Sequence, residues 1–240
     1  MKMLLLVPLF AIPSLVNANA GEVFDGYARY YSSLEGTVFK SSDVRTLQPG
    51  LTSFDATTVG KSVFSWEGMA HGKRYSFSLV DRSIYESDDE GPKESFVLNG
   101  KKFYFRQAKI FPGELGKIDA RSASLYFSKS YLCLEGVSFT SSGSAARHVD
   151  VYLLALTPKD GKQNLYKLPS LFASCFGIRL DKSGGIVFPK VSYRDYESVN
   201  AAAGVTFQDY TFKAGQFVPI GPERKANFVE PENMYKFRVQ

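Results

Sequence analysis

The residues best suited to chemistry form a basic, aromatic run directly after Asn99-Gly100. The run reads Lys101-Lys102-Phe103-Tyr104-Phe105-Arg106. Successive side chains of a β-strand point to opposite faces, so the sequence predicts that Lys102, Tyr104 and Arg106 share one face. Cations beside an exposed tyrosine suit an anionic polysaccharide, a phosphate-rich surface or a nucleic-acid strand. The alternative is an amphipathic hairpin whose phenylalanines are buried and whose cations only meet water.

The charge of the chain separates this run from dedicated nucleic-acid binders. The sequence has 29 Lys and Arg against 24 Asp and Glu, a net charge of +5, and loss of Lys2 alone lowers it to +4. It contains no DNA- or RNA-binding signature, and Gly184-Gly185 indicates a turn rather than a phosphate-binding loop. We therefore expect an anionic polymer, a glycan or a protein as partner, and no specific nucleic acid.

The two cysteines, Cys133 and Cys175, predict a disulfide if the chain is exported, because extracellular compartments are oxidising. In the chain-entropy model, closing the loop between them stabilises the fold by about 4 kcal/mol. The alternatives are two buried thiols or one catalytic thiol.

The two histidines do not form a recognisable catalytic motif. His71 lies in a predicted hairpin loop and His148 opens a predicted strand, and no Gly-x-Ser-x-Gly elbow occurs. Zinc requires three or four nitrogen, sulfur or carboxylate ligands, and the sequence supplies few. We expect no catalytic residue of these classes, no zinc site and no cofactor.

The acidic run that contains Asp88, Asp89 and Glu90 is a weak calcium candidate. Calcium takes six to eight oxygen ligands in flexible geometry. The spacing of these carboxylates does not fit an EF-hand loop, and a solvated acidic loop is the alternative.

The elements that must position these residues are short strands of alternating polar and apolar residues. Turn dipeptides such as Asn99-Gly100 separate the runs, as in β-hairpins. Clear runs occupy residues 62–66, 74–80, 95–98, 102–106, 124–127, 149–156, 186–188, 205–207, 210–212 and 234–239. The sequence thus predicts an all-β protein, an antiparallel sandwich or a barrel-like body. Helical spacing of Phe24, Tyr27, Tyr31 and Leu34 adds a short N-terminal helix, in the segment 21–33.

The first 20 residues have the pattern of a cleaved signal peptide. Lys2 precedes an apolar stretch, and Ala18-Asn19-Ala20 is a small-residue cleavage signal. That stretch is too short to span a bilayer, and no later segment has transmembrane length. We expect a secreted protein, periplasmic or extracellular, with no transmembrane segment after cleavage.

An internal duplication is predicted from similar segments about 100 residues apart. Six of nine residues agree between 34–42 and 134–142, and weaker matches follow in the same order. The predicted units are two closely packed β units of residues 34–127 and 134–240. Cys133 and Cys175 align with serines, Ser33 and Ser76, which favours their pairing.

These observations predict a soluble binding protein for a glycan, a lipid-like ligand or a protein. A binding protein requires a surface or cavity rather than a motif, and the sequence favours a non-enzyme. One alternative is an extracellular hydrolase with two catalytic carboxylates, although no specific pair stands out. Another is a surface-assembly or structural component whose strand edges pair with partners.

Overall fold

The computed structural model describes residues 21–50, 61–82, 95–118, 122–137, 147–157, 164–194 and 202–240. These residues form 17 strands, one α-helix and short 3-10 helices, which confirms the all-β prediction. Among them, no helix combines the length and apolar character needed to cross a membrane. The predicted signal peptide lies outside the described residues.

The strands are numbered in chain order. Those of the first half are β1 (Val23–Asp25), β2 (Val44–Thr46), β3 (Gln48–Gly50), β4 (Lys61–Ala70), β5 (Lys73–Arg82), β6 (Ser95–Leu98), β7 (Lys101–Tyr104) and β8 (Lys109–Ile110). Those of the second half are β9 (Ser122–Phe127), β10 (Tyr131–Val137), β11 (Val149–Ala155), β12 (Leu165–Lys167), β13 (Arg179–Leu180), β14 (Ile186–Arg194), β15 (Gly204–Lys213), β16 (Gln216–Glu230) and β17 (Asn233–Val239). The helix α1 spans Tyr27–Ser32, and 3-10 turns occupy Ser41–Asp43, Phe105–Gln107 and Cys175–Gly177.

The strands form three sheets. The N-terminal sheet has the order β3-β4-β5-β6-β7, the central sheet β2-β9-β10-β11-β12-β8, and the C-terminal sheet β1-β17-β16-β15-β14-β13. Adjacent strands pair antiparallel, except that β8 pairs parallel with β12 at the edge of the central sheet. Strand β7 is last in this order, so among the described residues one edge of β7 has no strand neighbour in that sheet.

The central sheet is buried on both faces. Leu134 and Tyr152 point into a core shared with the N-terminal sheet. Their neighbours Cys133 and Leu153 point to the opposite face, into a core that Phe188 of the C-terminal sheet completes. Because both faces need apolar side chains, β11 is almost continuously apolar rather than alternating. The body is therefore layered, with the central sheet between the other two.

The predicted N-terminal helix is present as α1. Its tyrosines pack on the C-terminal sheet, where Tyr27 stacks on Phe172 with ring centroids 4.1 Å apart and Tyr31 donates a hydrogen bond to the Phe172 carbonyl. Helices of fewer than about 12 residues are marginal in isolation. Aromatic packing rather than helix propensity therefore holds this six-residue helix.

The predicted disulfide is confirmed. Cys133 and Cys175 are bonded, with Cα atoms 6.0 Å apart. Cys133 lies in β10 and Cys175 begins a 3-10 turn, so the bond joins the central sheet to the segment that leads into the C-terminal sheet.

The two segments on which the duplication rests have different local structures. Leu34 and Gly36 lie in turns that follow α1, whereas Leu134 and Gly136 lie within β10. The central sheet also takes strands from both predicted units, β2, β8 and β9 from the first and the other three from the second. The duplication stays a prediction.

Candidate functional site

The basic run forms an edge hairpin of the N-terminal sheet. Asn99 and Gly100 connect β6 to β7, and both have the left-handed backbone of a tight hairpin turn, with φ of 49° and 78°. The Asn99 side chain accepts a hydrogen bond from the Ser76 backbone N–H at 2.8 Å, which anchors the turn to β5. The hairpin is therefore held in place by its own turn and by its neighbouring strand.

The strand prediction for residues 102–106 is wrong at its end. Strand β7 stops at Tyr104, and Phe105 begins a 3-10 turn that the hydrogen bond from Ala108 N–H to the Phe105 carbonyl closes at 3.0 Å. The turn forms because Phe105 is drawn into the core beneath the central sheet, where its ring lies 4.5 Å from that of Tyr152.

The predicted division of faces nevertheless holds. Phe103 and Phe105 are buried, while Lys102 and Arg106 are exposed and Tyr104 is half-buried. Lys102 Nζ lies 5.1 Å from the centroid of the Tyr104 ring, and the Arg106 guanidinium carbon lies 5.7 Å from it. We call these three residues, Lys102, Tyr104 and Arg106, the cationic hairpin cluster.

The charge of this cluster has no described counterion. Within the described residues, no carboxylate oxygen lies within 4.0 Å of the Lys102 or Arg106 charged groups. The sequence from Ser95 to Gly113 contains four cations and no Asp or Glu. Among the described residues, the hairpin thus presents positive charge beside an aromatic ring with no carboxylate to compensate it.

A second group of a cation and aromatic rings was not predicted from the sequence. Lys109 Nζ lies 5.4 Å from the ring centroid of Tyr166 and 4.6 Å from that of Phe212, and the two rings are 5.0 Å apart. The same ammonium group donates a hydrogen bond to Asn164 Oδ1 at 2.8 Å. We call Lys109, Tyr166 and Phe212 the Lys109 cluster. Its members come from β8, β12 and β15, so only the fold brings them together.

A buried lysine lies on the same strand as Tyr166. Lys167 is 1% exposed, and its Nζ lies 2.5 Å from Asp150 Oδ1 and 3.9 Å from Glu114 Oε2. It also lies 5.1 Å from the Tyr152 ring centroid. Two carboxylates thus meet here, but both are engaged by one buried cation. This Lys167 network is a structural ion cluster that ties β11 and β12 to the segment that follows β8.

His148 is linked to this network through Ser170. Ser170 Oγ lies 2.9 Å from His148 Nδ1 and 3.1 Å from Glu114 Oε1, and the Ser170 backbone N–H also donates to that carboxylate. A catalytic triad requires the carboxylate to orient the imidazole. Here the carboxylate contacts the serine instead, and Ser170 is buried. The arrangement therefore differs from a triad.

His71 lies in the β4–β5 hairpin turn, as predicted. It has a left-handed φ of 47°, and its Nε2 lies 2.8 Å from the Phe127 carbonyl oxygen. The same nitrogen lies 3.7 Å from Asp43 Oδ1. These contacts attach the hairpin turn to the central sheet, which is a packing role.

Glu135 is a partly buried carboxyl without a cation among its described contacts. It accepts hydrogen bonds from the Cys175 backbone N–H at 2.9 Å and from Ser174 Oγ at 3.1 Å, and Tyr126 bonds to it as well. Burial raises the pKa of Glu135 above its usual value, although these hydrogen bonds oppose the shift. Burial, and then the Glu135 charge, also raises the pKa of Tyr126.

The remaining site predictions concern metals. The calcium candidates Asp88, Asp89 and Glu90 lie outside the described residues. Within the part of the chain that the structure describes, no group of three or more His, Cys, Asp or Glu side chains is arranged to hold a metal ion. A small cavity of about 10 Å³ lies between the central and C-terminal sheets, beside Ser174 and Phe188. It is at the lower limit for one water molecule.

Comparison with known proteins gives no relative from which a role transfers. No protein-family model, no curated protein and no solved structure matches the chain.

Proposed function

We propose that this chain is an exported binding protein that holds an anionic polymer on the cationic hairpin cluster. One observation carries the proposal: Lys102 and Arg106 are exposed beside the Tyr104 ring, and no described carboxylate lies within 4.0 Å of their charged groups. An exposed cation with no carboxylate partner among the described residues offers its charge to a ligand. Strand β7 is the last strand of its sheet among the described residues, and the polymer is proposed to lie along this hairpin.

The expected ligand is a polymer because each exposed ion pair is weak. A solvent-exposed pair contributes about 0.2 to 1 kcal/mol, so useful affinity requires several anions on one molecule. Export is supported by the signal-like pattern of residues 1–20 and by the Cys133–Cys175 bond, which oxidising compartments favour.

The proposal is tested with the double variant Lys102→Ala/Arg106→Ala. Calorimetric titration at low salt with polygalacturonate, a carboxylated polymer, and with heparin, a sulfated one, measures the affinity. For the polymer that binds, we expect about a tenfold loss of affinity, because two exposed contacts of roughly 0.7 kcal/mol each are removed.

The matched control is Lys40→Ala/Arg238→Ala, which removes one lysine and one arginine elsewhere. Both side chains are exposed and have no carboxylate within 4.0 Å among the described residues. We expect less than a twofold loss of affinity in this control. An equal loss of affinity in both variants would show that only net charge matters. Unchanged affinity in the hairpin variant would show that the polymer does not bind at this site.

A further inference from the structure

We infer that the cationic hairpin cluster and the Lys109 cluster form one track, and that the track binds an anionic polysaccharide over several sugar residues. This inference rests on the proposed function, because it assumes that the hairpin cluster binds an anionic polymer. It adds a second part to the site and names the class of polymer.

The two clusters are close along the chain and in space. Lys109 follows Tyr104 by five positions, and a fully extended chain spans at most about 3.6 Å per residue. Their Cα atoms are therefore no more than about 18 Å apart. The 3-10 turn Phe105–Gln107, which carries Arg106, packs against β12, the strand that carries Tyr166.

The track crosses all three sheets. The hairpin cluster belongs to the N-terminal sheet, Lys109 and Tyr166 to the central sheet, and Phe212 to the C-terminal sheet. A ligand that reaches from Lys102 to Phe212 must be elongated, so a single small anion fills only one part of the track.

The aromatic rings of the track favour a charged sugar chain over a nucleic acid. Proteins that hold single-stranded nucleic acid stack bases on free aromatic faces. Here Tyr104, Tyr166 and Phe212 each have a side-chain cation within 6 Å of the ring centroid, and Phe212 also contacts Tyr166. These rings position cations. Carboxylates or sulfates repeated along a polysaccharide match a row of positioned cations.

The experiment is a chain-length series with three proteins: the natural chain, Lys109→Ala and Lys102→Ala/Arg106→Ala. The probes are a dimer and a decamer of oligogalacturonate and of heparin. In the series that binds more tightly, we expect Lys109→Ala to lower the affinity for the decamer about fivefold and the affinity for the dimer less than twofold. The hairpin variant is expected to weaken both lengths. Thermal unfolding of each variant controls for loss of fold.

Equal effects of Lys109→Ala on dimer and decamer, or no effect on either, would overturn the track. That result leaves the hairpin site standing if the hairpin variant still loses affinity. If the hairpin variant loses none, the proposed function fails, and the track fails with it. A single-stranded oligonucleotide with as many charges as the decamer is the remaining probe, and its tighter binding would overturn the assignment to a polysaccharide.

Discussion

Two lysines of this protein lie at the same distance from a tyrosine ring in opposite surroundings. Lys102 Nζ and Lys167 Nζ are each 5.1 Å from a ring centroid, of Tyr104 and Tyr152 respectively. Lys167 is 1% exposed and meets two carboxylates, whereas Lys102 is exposed and has none within 4.0 Å among the described residues. The difference shows how burial decides what a cation does.

A buried charge must be compensated within the protein. Removing an ammonium group from water costs several kcal/mol, and only close carboxylates and hydrogen bonds offset that cost. The Lys167 network is therefore committed to the fold. Water solvates Lys102 at no such cost, so nothing in the fold requires a partner for it, and an external anion is free to bind.

The largest effect is expected from Lys167→Met. This change leaves Asp150 and Glu114 without their shared cation, each about one-fifth exposed. Breaking a buried ion pair by removing one partner costs about 3 to 5 kcal/mol. We expect the free energy of unfolding to fall by about 3 kcal/mol in urea denaturation, because the carboxylates keep some access to water.

The matched change on the exposed side is Lys102→Met. A surface substitution of this kind alters stability by no more than about 0.5 kcal/mol. Similar losses of stability in Lys167→Met and Lys102→Met would contradict this comparison, because both lysines would then be structural.

A smaller effect is expected from Glu135→Gln, which tests a partly buried carboxyl with no cation among its described contacts. Because burial raises the pKa of Glu135 in the fold, its stabilising contribution is full below the unfolded pKa, near 4.5. That contribution is lost as pH rises through the higher folded pKa. Glutamine cannot ionise and still accepts from the Cys175 N–H. We expect the free energy of unfolding of the variant, relative to that of the natural protein, to be higher at pH 8 than at pH 4.

The opposite sign is expected for Glu230→Gln. Glu230 is exposed and hydrogen-bonded to Lys236, which lowers the pKa of the carboxyl. Its contribution is therefore present above the unfolded pKa and lost as pH falls.

The Glu135 prediction is contradicted if the free energies of unfolding of Glu135→Gln and of the natural protein change with pH in parallel. Glu135 would then ionise in the fold as freely as in water.

The smallest effect is expected from Tyr104→Leu. The ring positions Lys102 and Arg106, and an exposed cation–π contact contributes about 0.5 to 1 kcal/mol. We expect about a threefold loss of polymer affinity with stability almost unchanged, whereas Tyr104→Phe, which keeps the ring, retains binding. Full affinity in the leucine variant would leave the ring without a role.

The sequence predicted the features that depend on local alternation. The cationic face of the hairpin followed from the spacing of Phe103 and Phe105, and the disulfide followed from the number of cysteines and the predicted compartment. The end of β7 was missed because tertiary packing draws Phe105 into the core. The long strand β16 was missed because most of its side chains are polar or exposed.

The features that depend on distant residues could not be predicted. The Lys109 cluster joins three strands, and no local pattern links Lys109 to Phe212. Lys167 lies in a short Leu-Tyr-Lys strand whose sequence is typical of a surface segment. Its burial results from Asp150 and Glu114, which lie 17 and 53 residues away in the sequence.

The salt dependence of polymer binding tests the central claim most directly. Each cation that contacts an anionic polymer releases counterions, so the logarithm of the affinity falls with the logarithm of the salt concentration, with a slope of about one per contact. We predict that the slope for Lys102→Ala/Arg106→Ala is smaller than that of the natural protein by about two, and that Lys40→Ala/Arg238→Ala keeps the natural slope. Identical slopes for the natural protein and the hairpin variant would contradict the account.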